Sequence, residues 1–85
     1  HQGDAKAQNE LGHRYAYGRG VAQNWKLAIF WSRRAALQGC EASMRRLAEY
    51  FMEIGEDWKA AQWYRNYAET QLQLLYQRRR QAQEQ

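Results

Sequence analysis

Apolar positions along this chain fall into four runs with helical spacing, separated by glycine-bearing breaks. Ala7, Leu11 and Tyr15 lie four residues apart and share one face of a helix that begins at Asp4 and runs to about Tyr17. Asp4 reads as an N-cap or first-turn residue, because its carboxylate accepts from free backbone amides. Gly12 sits inside this run at a cost of roughly 1 kcal/mol relative to Ala. Close approach of a neighbouring helix would explain it. Gly18-Arg19-Gly20-Val21 breaks the helix, with Gly18 suited to a left-handed C-cap and Val21 to plugging the loop onto the core.

Asn24 caps the second run, in which Trp25, Ala28, Trp31 and Ala35 follow at helical spacing. Ile29, Ala36 and Leu37 widen that stripe, and Lys26, Arg33 and Arg34 take the solvated side. Gln38-Gly39 ends it. The third run starts at Cys40 or Glu41 and continues to about Ile54, with Leu47, Tyr50, Phe51 and Ile54 as its stripe. Gly55 stops it and Asp57 is expected to cap the fourth. Trp58, Ala61, Tyr64, Ala68, Leu72 and Leu75 then continue to about Gln81. That helix would be well above the ~11–12 residue mean.

Composition fits an all-α chain. There is no proline, and Ala, Gln, Glu, Arg and Leu dominate, residues that lose little rotamer freedom in a helix. Eighty-five residues make one domain with a small core, to which four Trp and six Tyr bring large apolar area. The net charge of +4 is uneven: residues 1–38 hold six Lys/Arg against two Asp/Glu, and residues 39–85 hold seven against seven. An excess of this size bears on solubility and steering and does not by itself imply nucleic acid. Cys40 is the only cysteine, so neither an intramolecular disulfide nor a cysteine-based metal site is expected. No apolar run approaches the ~18 residues of a membrane span. No secretory leader is read, and a sequence that does not open on Met is treated as part of a longer protein. The compartment stays open.

The chain also matches itself. A shift of 36 residues places Gly3 on Gly39, Leu11 on Leu47 and Tyr15 on Phe51. A shift of 32 places Ala28 on Ala60, Trp31 on Trp63 and Ala36 on Ala68. The offset changes because the turn at Gly55-Glu56-Asp57 is shorter than the one from Gly18 to Asn24. Two helix-turn-helix units are therefore expected, 3–38 and 39–70, followed by an extension of the last helix over 71–85. Neither unit buries its own apolar faces, so the two must stack.

The first unit resembles the SEL-like repeat, a relative of the tetratricopeptide repeat. The resemblance rests on Ala7-Gln8, Leu11-Gly12, Tyr15, Gly18-x-Gly20-Val21, Asn24-Trp25, Ala28, Trp31, Ala35-Ala36 and Gly39. The second unit keeps Ala42, Leu47, Trp63-Tyr64 and Ala68. It departs at Ala48, which stands where the helix glycine belongs, at the trimmed loop, and at Gln71, which stands where the closing glycine belongs. The resemblance implies an α/α solenoid of two antiparallel helix hairpins, right-handed in its stacking. It also implies a non-enzymatic adaptor or scaffold that binds a protein or peptide. The bacterial envelope is the compartment the family would favour, with the cytoplasm as the alternative.

By analogy with tetratricopeptide repeats, Lys6, Asn9, His13, Ala16 and Tyr17 face a concave groove. Ala42, Arg45, Glu49, Met52 and Glu53 are their counterparts in the second unit. This mixed polar face suits an extended segment, and an ordinary solvated face is the competing explanation. The aromatic residues read as core, above all Trp31 and Trp63, rather than as a stacking platform for bases or sugars. His1 and His13 lack partners for zinc or proton transfer. Cys40 sits at a helix N-terminus, where a thiol pKa can fall, but it reads as packing. Glu49 and Glu53 form an i, i+4 pair without a nucleophile or oxyanion donor. No catalytic, cofactor or metal residue is assigned. Gly18-x-Gly20 follows a helix rather than a strand and is no phosphate cradle.

Two features remain at the far end. Arg78-Arg79-Arg80 complements a helix C-terminus, with nucleic-acid binding as the sharper alternative. An accessory role in a larger enzyme is a third class. Leu72, Leu74, Leu75 and Tyr76 extend an apolar surface past the reach of the third helix, and such patches mark interfaces. A fold-back cap, a following helix or a second copy of the chain would cover them. The cap is favoured because the closing glycine is lost at Gln71, and dimerisation through the stripe of Leu72, Leu75 and Tyr76 is the alternative.

Overall fold

A computed structural model describes residues 3–84. His1 and Gln2 of the expected lead-in, and Gln85 of the extension, lie outside the described residues. The chain is all-α: α1 (Ala5–Tyr17), α2 (Trp25–Leu37), α3 (Glu41–Glu53) and α4 (Asp57–Glu84). Each helix packs on the next in the chain, and α1 and α3 meet more lightly. Short connections make neighbours antiparallel. Side-chain bonds between opposite ends agree. Gln38 Nε2 donates to Gln8 Oε1 at 2.7 Å, and Gln71 Nε2 donates to a Glu41 carboxylate oxygen.

Local chemistry sets the helix ends. Asp4 accepts from the Lys6 amide at 3.0 Å, and Asn24 accepts from the Leu27 amide at 3.1 Å. Each satisfies a donor that the first turn leaves free. Gly18 closes α1 at φ 66, ψ 37, a left-handed conformation open to glycine without steric cost. The start of α4 differs from expectation: Asp57 is its first helical residue, and Glu56 stands outside, its carbonyl accepting from the Ala60 amide. A carboxylate at Asp57 still complements the helix N-terminus.

The core is small and lies between α2, α3 and α4. Leu47, Ala48, Met44 and Phe51 of α3 meet Ala36 of α2 and Ala60 of α4, with Ile29, Trp63 and Tyr67 packed around them. A second cluster joins Ala16, Ala28 and Tyr50. The face of α1 turned inward is Gln8, Gly12 and Ala16, one residue on from the expected Ala7, Leu11 and Tyr15, which are half-buried. Trp63 packs on the core as expected. Trp31 does not reach it: half-buried, its ring meets the edge of Phe30 and the Arg34 guanidinium. Ile54 follows the end of α3 and is exposed.

The largest difference concerns α4. Its inward face is Ala60, Trp63, Tyr67, Gln71 and Leu74. The expected stripe of Trp58, Ala61, Tyr64, Ala68, Leu72 and Leu75 is exposed along its whole length. The register explains where cover ends. Glu41, at the start of α3, meets Gln71, so residues 72–84 run beyond α3 for about 20 Å. They continue α4 in line, past the expected end at Gln81, and do not turn back over α3.

Candidate functional site

α1 and α3 end where α2 and α4 begin, so one end of the bundle gathers residues from all four helices. There they line a groove of about 390 Å³. Tyr17 closes α1, Trp25 opens α2, Glu49, Met52 and Glu53 belong to the last turns of α3, and Tyr64 stands two turns into α4. Tyr50 forms the floor at 1% exposed, its ring 5.7 Å from that of Trp25.

Of the groove positions named from sequence, Ala16, Tyr17, Glu49, Met52 and Glu53 come together here. His13 lies behind, half-buried, with its ring 4.7 Å from Tyr17. Partial burial, then the Arg46 and Arg19 charges, hold its pKa below the ordinary histidine value. Arg45 reaches Glu49 at 3.9 Å across an exposed i, i+4 pair, a contact of little stability value. Lys6 is exposed and Asn9 half-buried on the earlier turns of α1, away from the groove. Sequence reasoning assigns Trp25, Tyr50 and Tyr64 to core packing. Tyr50 is buried in the core and Trp25 packs on it, whereas Tyr64 is exposed, and that all three also border a groove was missed. Their signal was topological: each lies near the helix end that an antiparallel hairpin brings beside Tyr17.

The floor carries a titratable feature. Burial pushes the Tyr50 phenol up to about 12, with Arg46 pulling the other way. Ser32 faces the phenol and also pulls its value down, although neither hydroxyl makes a hydrogen bond of ordinary geometry. The ordinary tyrosine value is near 10. Between these two values the unfolded chain releases a proton that the folded chain keeps. The Tyr50 contribution to stability is therefore constant below pH 10 and falls as pH rises from 10 towards 12. Urea melts across this range should show the fall in the unsubstituted chain. In Tyr50→Phe the Tyr50 share of it should vanish, with a change of no more than about 1 kcal/mol at pH 7, because only the contact with Ser32 is lost.

A smaller depression of about 110 Å³ lies on α4 between Leu72, Leu75, Tyr76 and Arg79. Tyr76 is 59% exposed and Trp58 62%. Among the described residues, no group of three or more His, Cys, Asp or Glu is placed to hold a metal ion, and no helix is long and apolar enough to cross a membrane. No protein-family model matches this chain, nor does any curated protein or solved structure.

Proposed function

We propose that this chain is a non-enzymatic protein-binding module of the SEL-like repeat type, built from units 3–38 and 39–70 with residues 71–85 as an extension. One observation carries the binding assignment: two carboxylates and three accessible aromatic side chains from four helices border a single open groove. Glu49 and Glu53 supply negative charge, and Tyr17, Trp25 and Tyr64 supply ring surface. A cation is drawn both by carboxylates and by the negative faces of aromatic rings. The groove therefore suits a Lys or Arg side chain of a partner segment, with Met52 adapting to its aliphatic stem. Lys6, Asn9, His13 and Arg45 would meet flanking parts of that segment.

The test uses short peptides identical except at their centre, which carries Arg, Lys, norleucine or Glu, titrated calorimetrically. Basic peptides should bind at least about tenfold more tightly than the norleucine peptide, and Glu49→Gln with Glu53→Gln should erase that preference. Equal binding of basic and norleucine peptides would sink the groove assignment.

Nucleic-acid binding through Arg78, Arg79 and Arg80 is the weaker reading. Consecutive helical residues point about 100° apart, so these three spread around α4 rather than forming a stripe along a phosphate backbone. Steep loss of affinity with added salt would be its signature. An accessory role in a larger enzyme is compatible with the same groove.

A further inference from the structure

The exposed face of α4 carries an internal symmetry. Around Ala68, Tyr64 and Leu72 lie four residues to either side, Ala61 and Leu75 seven, and Asp57 and Arg79 eleven. All seven positions fall on one side of the helix, turned about 100° from the side that packs on α3. Spacings of four, seven and eleven are those of a helix–helix seam. When two α4 helices cross antiparallel about a two-fold axis at Ala68, residues equally far before and after it meet. Tyr64 then faces the second copy's Leu72, Ala61 faces Leu75, and Asp57 faces Arg79. On the flank of the seam, where opposed positions are offset by two residues, Arg65 comes near the second copy's Glu69, and Trp58 near Tyr76. Every contact occurs twice, as a two-fold interface requires. Ala68 puts the smallest apolar side chain where the two axes come closest. A parallel pair would instead set Asp57 against Asp57 and Arg79 against Arg79.

The bundle already contains the same kind of contact. By the 32-residue shift, Ile29, Ser32 and Ala36 of α2 correspond to Ala61, Tyr64 and Ala68 of α4. Ile29 and Ala36 pack with α3, and Ser32 is buried between α1 and α3. A third unit would start its first helix near residue 73, but α4 runs unbroken through that point. The place over α4 is thus open to a helix from elsewhere. We propose that a second copy of this chain fills it, forming an antiparallel two-fold dimer through α4 with Ala68 on the axis. The dimer and the groove share Tyr64, but the dimer does not rest on the groove assignment: the charge pattern of Asp57, Arg65, Glu69 and Arg79 sets its direction.

Sedimentation over a dilution series, up to about 1 mM, should show a monomer–dimer equilibrium. Asp57→Lys and Arg79→Asp should each weaken self-association about tenfold or more, since each sets like charges together twice. Mixing the two variants should restore dimers of one chain of each. In that pair the introduced lysine of one chain faces the introduced aspartate of the other, and the unaltered Arg79 and Asp57 still face each other. No contact within one chain gives that result, as the two positions lie about 33 Å apart along the helix. Helical circular dichroism checks that each variant folds. As a second approach, Ala68→Cys in a Cys40→Ser background should cross-link to itself under mild oxidation. A monomer throughout the dilution series, a mixture that stays monomeric, a dimer indifferent to Leu72→Ser with Leu75→Ser, or an Ala68→Cys chain that does not cross-link would each overturn the proposal.

Discussion

Replacing Leu47 with Ala is expected to remove a large share of the stability of this chain, from about a third to all of it. Leu47 is fully buried at the centre of α3, the helix that holds α2 on one side and α4 on the other. Its neighbours include Ala36, Ala48 and Ala60, which have no further side chain to swing into a void. A site that cannot collapse lies at the upper end of the 2–5 kcal/mol range for such truncations, about 4 kcal/mol. A chain of this length has a total of about 4–13 kcal/mol. Thermal melts followed at 222 nm should show a drop of about 15–25 °C or no folded baseline. Leu37→Ala is the matching control. Leu37 is 70% exposed, and its loss should stay within about 0.5 kcal/mol. Similar losses at both positions would mean that α3 is not the centre of the core.

Gly12→Val should cost about 3 kcal/mol, against the helix preference that favours almost any residue over glycine. A Cβ at Gly12 would lie 2.5 Å from Ser32 Oγ and 3.0 Å from the Ala28 carbonyl oxygen. The hydroxyl can rotate aside, but the carbonyl belongs to the backbone of α2 and moves only with the helix. The two methyls of Val make that shift larger. Gly12→Ala should fall between, and Ser32→Gly should recover part of the Gly12→Ala loss and little of the Gly12→Val loss. Urea melts of the four chains would measure this. A Gly12→Val chain as stable as the parent would mean that α1 and α2 are further apart than described.

The same contact explains why one helix face was legible in the sequence and another was not. Helix ends carry local signals: Asn24 caps with its own side chain, and Gly18 adopts a conformation that other residues avoid. Such signals need no knowledge of the rest of the fold. The inward line of α1 is Gln8, Gly12 and Ala16, because close approach selects small residues, and Gln8 is satisfied by Gln38. Hydrophobicity therefore pointed to the neighbouring line of larger side chains. On α4 the ambiguity is sharper. Trp58, Tyr64, Leu72 and Leu75 are as apolar as Trp63, Tyr67 and Leu74, and both sets have helical spacing. Only the register against α3, visible in the Gln71–Glu41 and Thr70–Met44 contacts, decides which set is covered. The groove was half legible. Tyr17, Glu49, Met52 and Glu53 follow from position on their helices, whereas Trp25 and Tyr64 join through the meeting of helix ends.

Because each helix packs chiefly on its neighbours in the chain, almost every contact between helices stays within one pair of consecutive helices. Low contact order of this kind goes with folding in microseconds to milliseconds. It also removes the penalty for losing an end: α1 or the outer half of α4 can open while α2 and α3 stay closed. Amide exchange should therefore be graded, slowest around Leu47 and fastest beyond Gln71, where each proton is protected only by the helix that carries it.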